Sequence, residues 1–153
     1  FSSRRRHTRS LCDGSSDVCF PIYVNGGTGD DLIGSGIGND RVTDRDGDND
    51  IRTGSGDDVV VVGNGVSRVS AGAGRDFVVA YAGDHFLFGG PGDDRLVGDD
   101  SNETMYGGTD NDVLIGRGGT NTLRGGPGFD GCWFDADSIT QTGQCEYGSR
   151  NVF

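Results

Sequence analysis

The chain has 153 residues, enough for one domain, and carries 30 Gly against only 3 Pro, which excludes collagen and calls for many backbone positions at positive φ. All 13 basic residues are Arg, and the 24 acids are Asp except for Glu103 and Glu146, leaving a net charge of −11. A body this acidic is a poor partner for nucleic acid, and no stretch is apolar for long enough to span a membrane.

Residues 1–10 hold Arg4, Arg5, Arg6 and Arg9 and no acid, so the other 143 residues carry 9 Arg against 24 acids, a net of −15. This basic arm reads as a solvated tail, and its sign suits docking onto the acidic turns of a neighbouring copy. The chain opens at Phe1 with no apolar signal segment, as expected of a mature form or an excised fragment. Residues 11–25 contain Cys12 and Cys19, and Cys132 and Cys145 form a second close pair beyond the Gly-rich region. Metal binding by thiolates needs tighter spacing and usually His, so two disulfides are expected, which implies an oxidising, extracytoplasmic compartment.

Residues 26–133 read as twelve consecutive nine-residue units without an insertion. The eighth place of each unit is Ile33, Val42, Ile51, Val60, Val69, Val78, Leu87, Leu96, Met105, Leu114, Leu123 or Cys132, all apolar or thiol-bearing. The fourth place is Gly throughout except at Ser101 and Asp110. Six residues of Gly and Asp suit a turn, and three residues with a central apolar side chain suit a short strand.

The units Gly26-Gly27-Thr28-Gly29-Asp30-Asp31-Leu32-Ile33 and Gly89-Gly90-Pro91-Gly92-Asp93-Asp94-Arg95-Leu96 resemble the glycine-rich nonapeptide G-G-x-G-x-D-x-U-x of the RTX, or haemolysin-type calcium-binding, family. The resemblance implies an all-β fold, a right-handed parallel β-roll in which two units complete one turn. Twelve units then make six turns, about 29 Å of solenoid at the strand spacing. The expected core is a thin double row of eighth-place side chains, too small to hold the fold without metal. Unlike family members exported in one step, which generally lack Cys, this chain has four. That favours a cleaved signal peptide and terminal caps, residues 11–25 and 134–153, covering open solenoid ends.

If two units make a turn, alternate units share a side. The units starting at 35, 53, 71, 89, 107 and 125 all have Gly at the second place (Gly36, Gly54, Gly72, Gly90, Gly108, Gly126) and Asp at the sixth (Asp40, Asp58, Asp76, Asp94, Asp112, Asp130). We call this the Asp side. On the mixed side the sixth places are Asp31, Asn49, Ser67, His85, Glu103 and Asn121. Calcium takes six to eight hard oxygen ligands. Stacked Asp-side turns offer one carboxylate each plus backbone carbonyls left accessible by Gly, so about five Ca²⁺ are expected in one file between the six turns. One more is expected on the mixed side, where Asp31 faces a turn carrying Asp44, Asp46, Asp48 and Asn49. That turn is not an EF-hand, because its twelfth position is Ser55 rather than Glu. Asp57 and Asp93, at the fifth place, either assist or sit in solvent.

His7 and His85 are isolated, and no Ser–His–Asp set or Cys–His pair suggests a nucleophile, so no enzyme is expected. Residues flanking each inward side chain should point outward. On the Asp-side sheet they include Val59, Val61, Phe77, Val79, Val97, Val113, Ile115 and Trp133, a larger apolar patch than a soluble monomer usually exposes. Either the C-terminal segment with Phe134, Ile139, Tyr147, Val152 and Phe153 folds over it, or another subunit does. Asn102-Glu103-Thr104 is the only N-glycosylation sequon.

The reading that follows is a secreted, calcium-binding structural protein, a self-assembling subunit of an extracellular filament, matrix or adhesive layer, forming a homo-oligomer through the apolar face and the Arg arm. The alternatives are a calcium-triggered folding module cut from a larger secreted enzyme or toxin, and an ice-binding protein. The second is disfavoured because, of the third and fifth places on the Asp side, only Thr109 with Asn111 makes a Thr/Asn pair.

Overall fold

The computed structural model describes residues 8–9, 21–135, 139–146 and 150–151. Two eight-stranded, all-parallel sheets face each other across one core. The odd sheet comprises β1 (Thr8–Arg9), β3 (Leu32–Ile37), β5 (Asp50–Ser55), β7 (Arg68–Ala73), β9 (Phe86–Pro91), β11 (Thr104–Thr109), β13 (Thr120–Arg124) and β15 (Ile139–Gly143). The even sheet comprises β2 (Tyr23–Asn25), β4 (Arg41–Asp46), β6 (Val59–Asn64), β8 (Phe77–Ala80), β10 (Arg95–Val97), β12 (Val113–Arg117), β14 (Gly131–Asp135) and β16 (Arg150–Asn151). The chain alternates between sheets at every strand, and paired residues lie two units apart: Ile33 beside Ile51, Val69 beside Leu87, Val42 beside Val60, Leu96 beside Leu114. This is the β-solenoid of about six turns that the eighteen-residue period implies.

The division within each unit differs from the three-residue strand expected. Seven of the sixteen described strands run six residues, from the seventh place of one unit to the third place of the next. The turn proper is only the fourth to sixth places. Side chains alternate along a strand, so the first place of each unit points inward as well as the eighth. The core therefore contains Val62, Ala71 and Ala80 beside the eighth-place row, and Ser35, Asp44 and Thr53 are fully buried.

Both ends of the solenoid are extended by chain outside the repeat. Thr8 and Arg9 pair with Leu32 and Ile33, so at these two residues the chain adds a first strand to the odd sheet. The Cys132–Cys145 disulfide is present, while Cys12 and Cys19 lie outside the described residues. Ile139–Gly143 adds to β13 and Arg150–Asn151 to β14. These stretches continue the two sheets end-on and do not lie over the apolar face; Tyr147, Val152 and Phe153 fall outside the described residues.

Candidate metal centre

The six Asp-side carboxylates form a continuous column inside the solenoid. Each is at most 2 % exposed, and each accepts, on Oδ1, the backbone N–H of the residue one turn earlier. The rungs are Ile22 to Asp40 at 2.9 Å, Asp40 to Asp58 at 2.6 Å, Asp58 to Asp76 at 2.8 Å, Asp76 to Asp94 at 2.8 Å, Asp94 to Asp112 at 2.9 Å and Asp112 to Asp130 at 2.8 Å. Glu146 ends the column, accepting the N–H of Asp130 on Oε2 at 2.6 Å. The sequence period could not reveal Glu146, because it lies 16 residues on rather than 18.

In every Asp of the column the second oxygen, Oδ2, is buried with no hydrogen bond. A buried carboxylate oxygen without a partner is costly, and the costs register in the acidities. Burial pushes Asp76 up to about 6 and both Asp94 and Asp112 to about 7, against the stabilising pull of the amide each accepts; neighbouring carboxylates push further. Burial raises Asp58 and Asp130 as well. Backbone carbonyls converge on the same space. A Cβ at Gly89 would strike both Asp94 Oδ2 and the carbonyl of Gly107, and one at Gly125 would strike Asp130 Oδ2 and the carbonyl of Gln144. Among the described residues, no three His, Cys, Asp or Glu side chains gather closely enough to hold a metal by themselves. Ligation would therefore draw on one carboxylate per turn plus main-chain oxygens, the donor set of a hard cation such as Ca²⁺. The residues present fit that group.

The second-place Gly column has a steric cause. Gly90 sits at φ +128°, and a Cβ there would collide with the carbonyl of Gly72 in the turn below; the same holds at Gly54, Gly72, Gly108 and Gly126. The fifth-place residues are also structural. Asp57 and Asp93 accept the backbone N–H of Arg75 and Asn111, one turn later, at 2.8 and 2.9 Å. This outer ladder runs in the opposite sense to the inner one.

The mixed side keeps the inner ladder but makes it largely neutral. Asn49 Oδ1 accepts from Asp31, Ser67 Oγ from Asn49, His85 Nδ1 from Ser67 and Asn121 Oδ1 from Glu103. His85 also contacts the Tyr81 carbonyl through Nε2 at 3.0 Å, so both ring nitrogens serve the fold. The Nδ2 of Asn121 donates to the carbonyls of Gly116 and Gly118, filling with an amide the space a cation would take. Two carboxylates break this neutrality. Asp44, inward at the first place, is pushed up to about 6 by burial, with the charges of Asp31 and Asp46 adding to the shift; it enters the space over Gly26. Asp31 is thus brought beside Asn49 and Asp44. Glu103 is 1 % exposed with neither oxygen in a well-formed hydrogen bond. Burial and then Asp99 and Asp84 push it to about 8, against the backbone amide of Asp99.

Asn102 is exposed, its Oδ1 accepting from Thr120 and its Nδ2 donating to Asp84. On the even sheet the outward row Val61, Val79, Val97, Ile115, Trp133 is in register strand by strand. Phe77 is exposed and Val59, Val61, Val79, Val113, Ile115 and Trp133 are half-buried. Val97 alone departs from the expected exposure: flanked by Val79 and Ile115, it is buried.

Two parallel sheets wound into a solenoid, with carboxylate-lined turns along one side, define a parallel β-roll. A family model for the RTX calcium-binding nonapeptide repeat matches four times, over residues 23–42, 34–69, 62–96 and 97–131. The match spans more than half of the chain, which belongs to that family, and calcium is the cation such repeats bind. No curated protein and no solved structure matches the chain.

Proposed function

We propose that this chain is a secreted, calcium-binding structural protein that works by binding rather than by catalysis, and that assembles with copies of itself through the even sheet. The observation that carries the calcium reading is the column of buried Oδ2 atoms facing main-chain carbonyls. Here the six Asp-side residues hold charge in place, the Oδ1 rungs orient each carboxylate, and the second-place glycines let successive turns approach. Calcium bound there supplies the positive charge that lets a body of this acidity stay folded. The Cys132–Cys145 bridge supports an oxidising, extracellular setting.

Assembly is supported by the in-register apolar row of the even sheet and by the end-on placement of Ile139–Gly143, which leaves that row without cover from this stretch. The Arg-rich arm, whose sign complements an acidic turn, is a second contact for a neighbouring copy. Light scattering of the full chain in millimolar calcium, and again with chelator, tests the reading. Particles larger than a monomer that dissolve on chelation are expected; a monomer under both conditions would overturn assembly, and the absence of any calcium binding by calorimetry would overturn the whole proposal.

A further inference from the structure

The Asp side is uniform at its second and sixth places but not at its first. In chain order the first places are Ser35, Thr53, Ala71, Gly89, Gly107 and Gly125, and all point inward. In the later three turns the first place has no Cβ, and the side chain of the turn's own Asp leans into that space, so that a Cβ there would strike the Oδ2 of Asp94, Asp112 or Asp130. Main-chain carbonyls border it too, those of Gly107 and Gln144 in the turns of Gly89 and Gly125.

In the first two turns a hydroxyl stands there instead. Ser35 Oγ donates to the carbonyl of Thr53 at 3.0 Å, and Thr53 Oγ1 donates to the carbonyl of Ala71 at 2.6 Å. These are the first-place carbonyls of the following turns, the counterparts of the Gly107 carbonyl. Both hydroxyl-bearing residues are fully buried. Thr53 also lies against Asp58, whose charge it helps to hold. Ala71, fully buried, fills the third turn with its methyl group.

Resting on the calcium reading above, we propose that the metal file is confined to the turns opening at Gly89, Gly107 and Gly125, while Ser35, Thr53 and Ala71 close the first three turns without metal. A hydroxyl already bonded to the carbonyl competes for the oxygen that a cation would need, and any first-place Cβ bars the Asp carboxylate from the position it takes over Gly89, Gly107 and Gly125. A neutral donor there substitutes for the ion as the link between adjacent turns. Because each turn of a solenoid contacts only its neighbours, the two halves can differ in stability. The N-terminal half is thus a metal-independent segment on which the calcium-dependent half is built.

Hydrogen exchange of the full chain, followed by mass spectrometry with calcium and with chelator, reads this directly. Chelation is expected to strip protection from β10, β12 and β14 and to leave β4, β6, β5 and β7 protected. Uniform loss along both halves, with calcium binding intact by calorimetry, would overturn the inference while leaving the calcium reading in place; no calcium binding at all would overturn both. Calorimetric stoichiometry gives the second readout. Ala71→Gly is expected to add one ion per chain, and Gly107→Ala to remove one. Since Gly107→Ala carries a risk of misfolding, Asp112→Asn, which preserves the Oδ1 rung, is expected to remove the same ion. An Ala71→Gly count equal to the parent's, or an Asp112→Asn count equal to the parent's, would overturn the proposal.

Discussion

Asp94 takes the backbone N–H of Asp76 on Oδ1 at 2.8 Å and keeps its other oxygen buried with no hydrogen bond. One oxygen stacks the turns and the other concentrates charge, so the two roles can be separated chemically. Asp94→Asn keeps an acceptor for the rung and removes the charge. Calcium affinity is expected to fall at least about tenfold, roughly 1.4 kcal/mol, while the melting temperature in chelator rises. Asp94→Ala should lower both, because it leaves the Asp76 amide buried without its acceptor. Calorimetry and thermal melts on the two variants check this; an Asn variant as unstable in chelator as the Ala variant would refute the division of labour.

The same column sets a pH dependence. Asp76 at about 6 and Asp94 and Asp112 at about 7 lie above the ordinary 3.8. The folded chain therefore retains protons that the unfolded chain releases. Stability without metal is fully present below about pH 4, falls as pH rises through 4 to 7, and is level beyond that window. Calcium must displace the protons of Asp94 and Asp112, so its affinity runs the other way and weakens as pH drops below 7. Circular-dichroism melts in chelator at pH 5 and pH 8 should show the more acid sample more stable, and the order should reverse in saturating calcium.

Glu103 offers a test on the mixed side. It is buried, pushed up to about 8, and stands among Asp99, Asp84 and Asp100. The folded chain keeps this proton while the unfolded chain releases it, so stability is full below about pH 4.5 and is lost as pH rises from there through 8. Glu103→Gln is expected to raise the melting temperature at pH 9 by several degrees and to change it little at pH 4. An equal change at both pH values would mean that packing against Gly98 and Met105, not charge, governs the site.

The solenoid and the Asp column were legible because each depends on a residue type recurring at a fixed interval. Gly90 must be Gly to avoid the carbonyl of Gly72, and such a constraint repeated down a stack leaves a column in the sequence. What escaped was set by direction rather than identity. The first-place side chains are too varied, from Gly to Val62, to mark an inward position, so Thr53, Ala71 and Asp44 read as turn residues until the six-residue strands showed them facing the core. His85, Ser67 and the two Asn rungs looked like decay because they share no charge. They share instead an acceptor one turn from a backbone amide, a property spread over three residue types.

The Cys132–Cys145 bridge ties the last even strand of the repeat to the chain that follows β15. Closing a loop of 13 residues' separation is worth about 3 kcal/mol in chain entropy. Reduction, or Cys145→Ser, is expected to lower stability by about that amount and to expose amides of β14 first, since that strand then loses its fixed cap. Exchange that rises equally throughout the roll would mean the bridge supports the whole solenoid rather than its end.

The outward row of the even sheet carries the assembly prediction. Val79, Val97 and Ile115 are adjacent across three strands, with Trp133 beyond them. A carboxylate placed in that row would face a partner's apolar side chains and lose its hydration on contact, a penalty of several kcal/mol that the interface would have to absorb. Ile115 is half-buried and lies on the face opposite the inward Leu114, so Ile115→Asp leaves the metal column untouched. The variant is expected to bind as much calcium as the parent and to remain monomeric by light scattering at concentrations where the parent assembles. Assembly that persists in Ile115→Asp with parent-like particle mass would move the contact away from this sheet, and the basic arm, with Arg4, Arg5 and Arg6 replaced by Ala, would be the next surface to test.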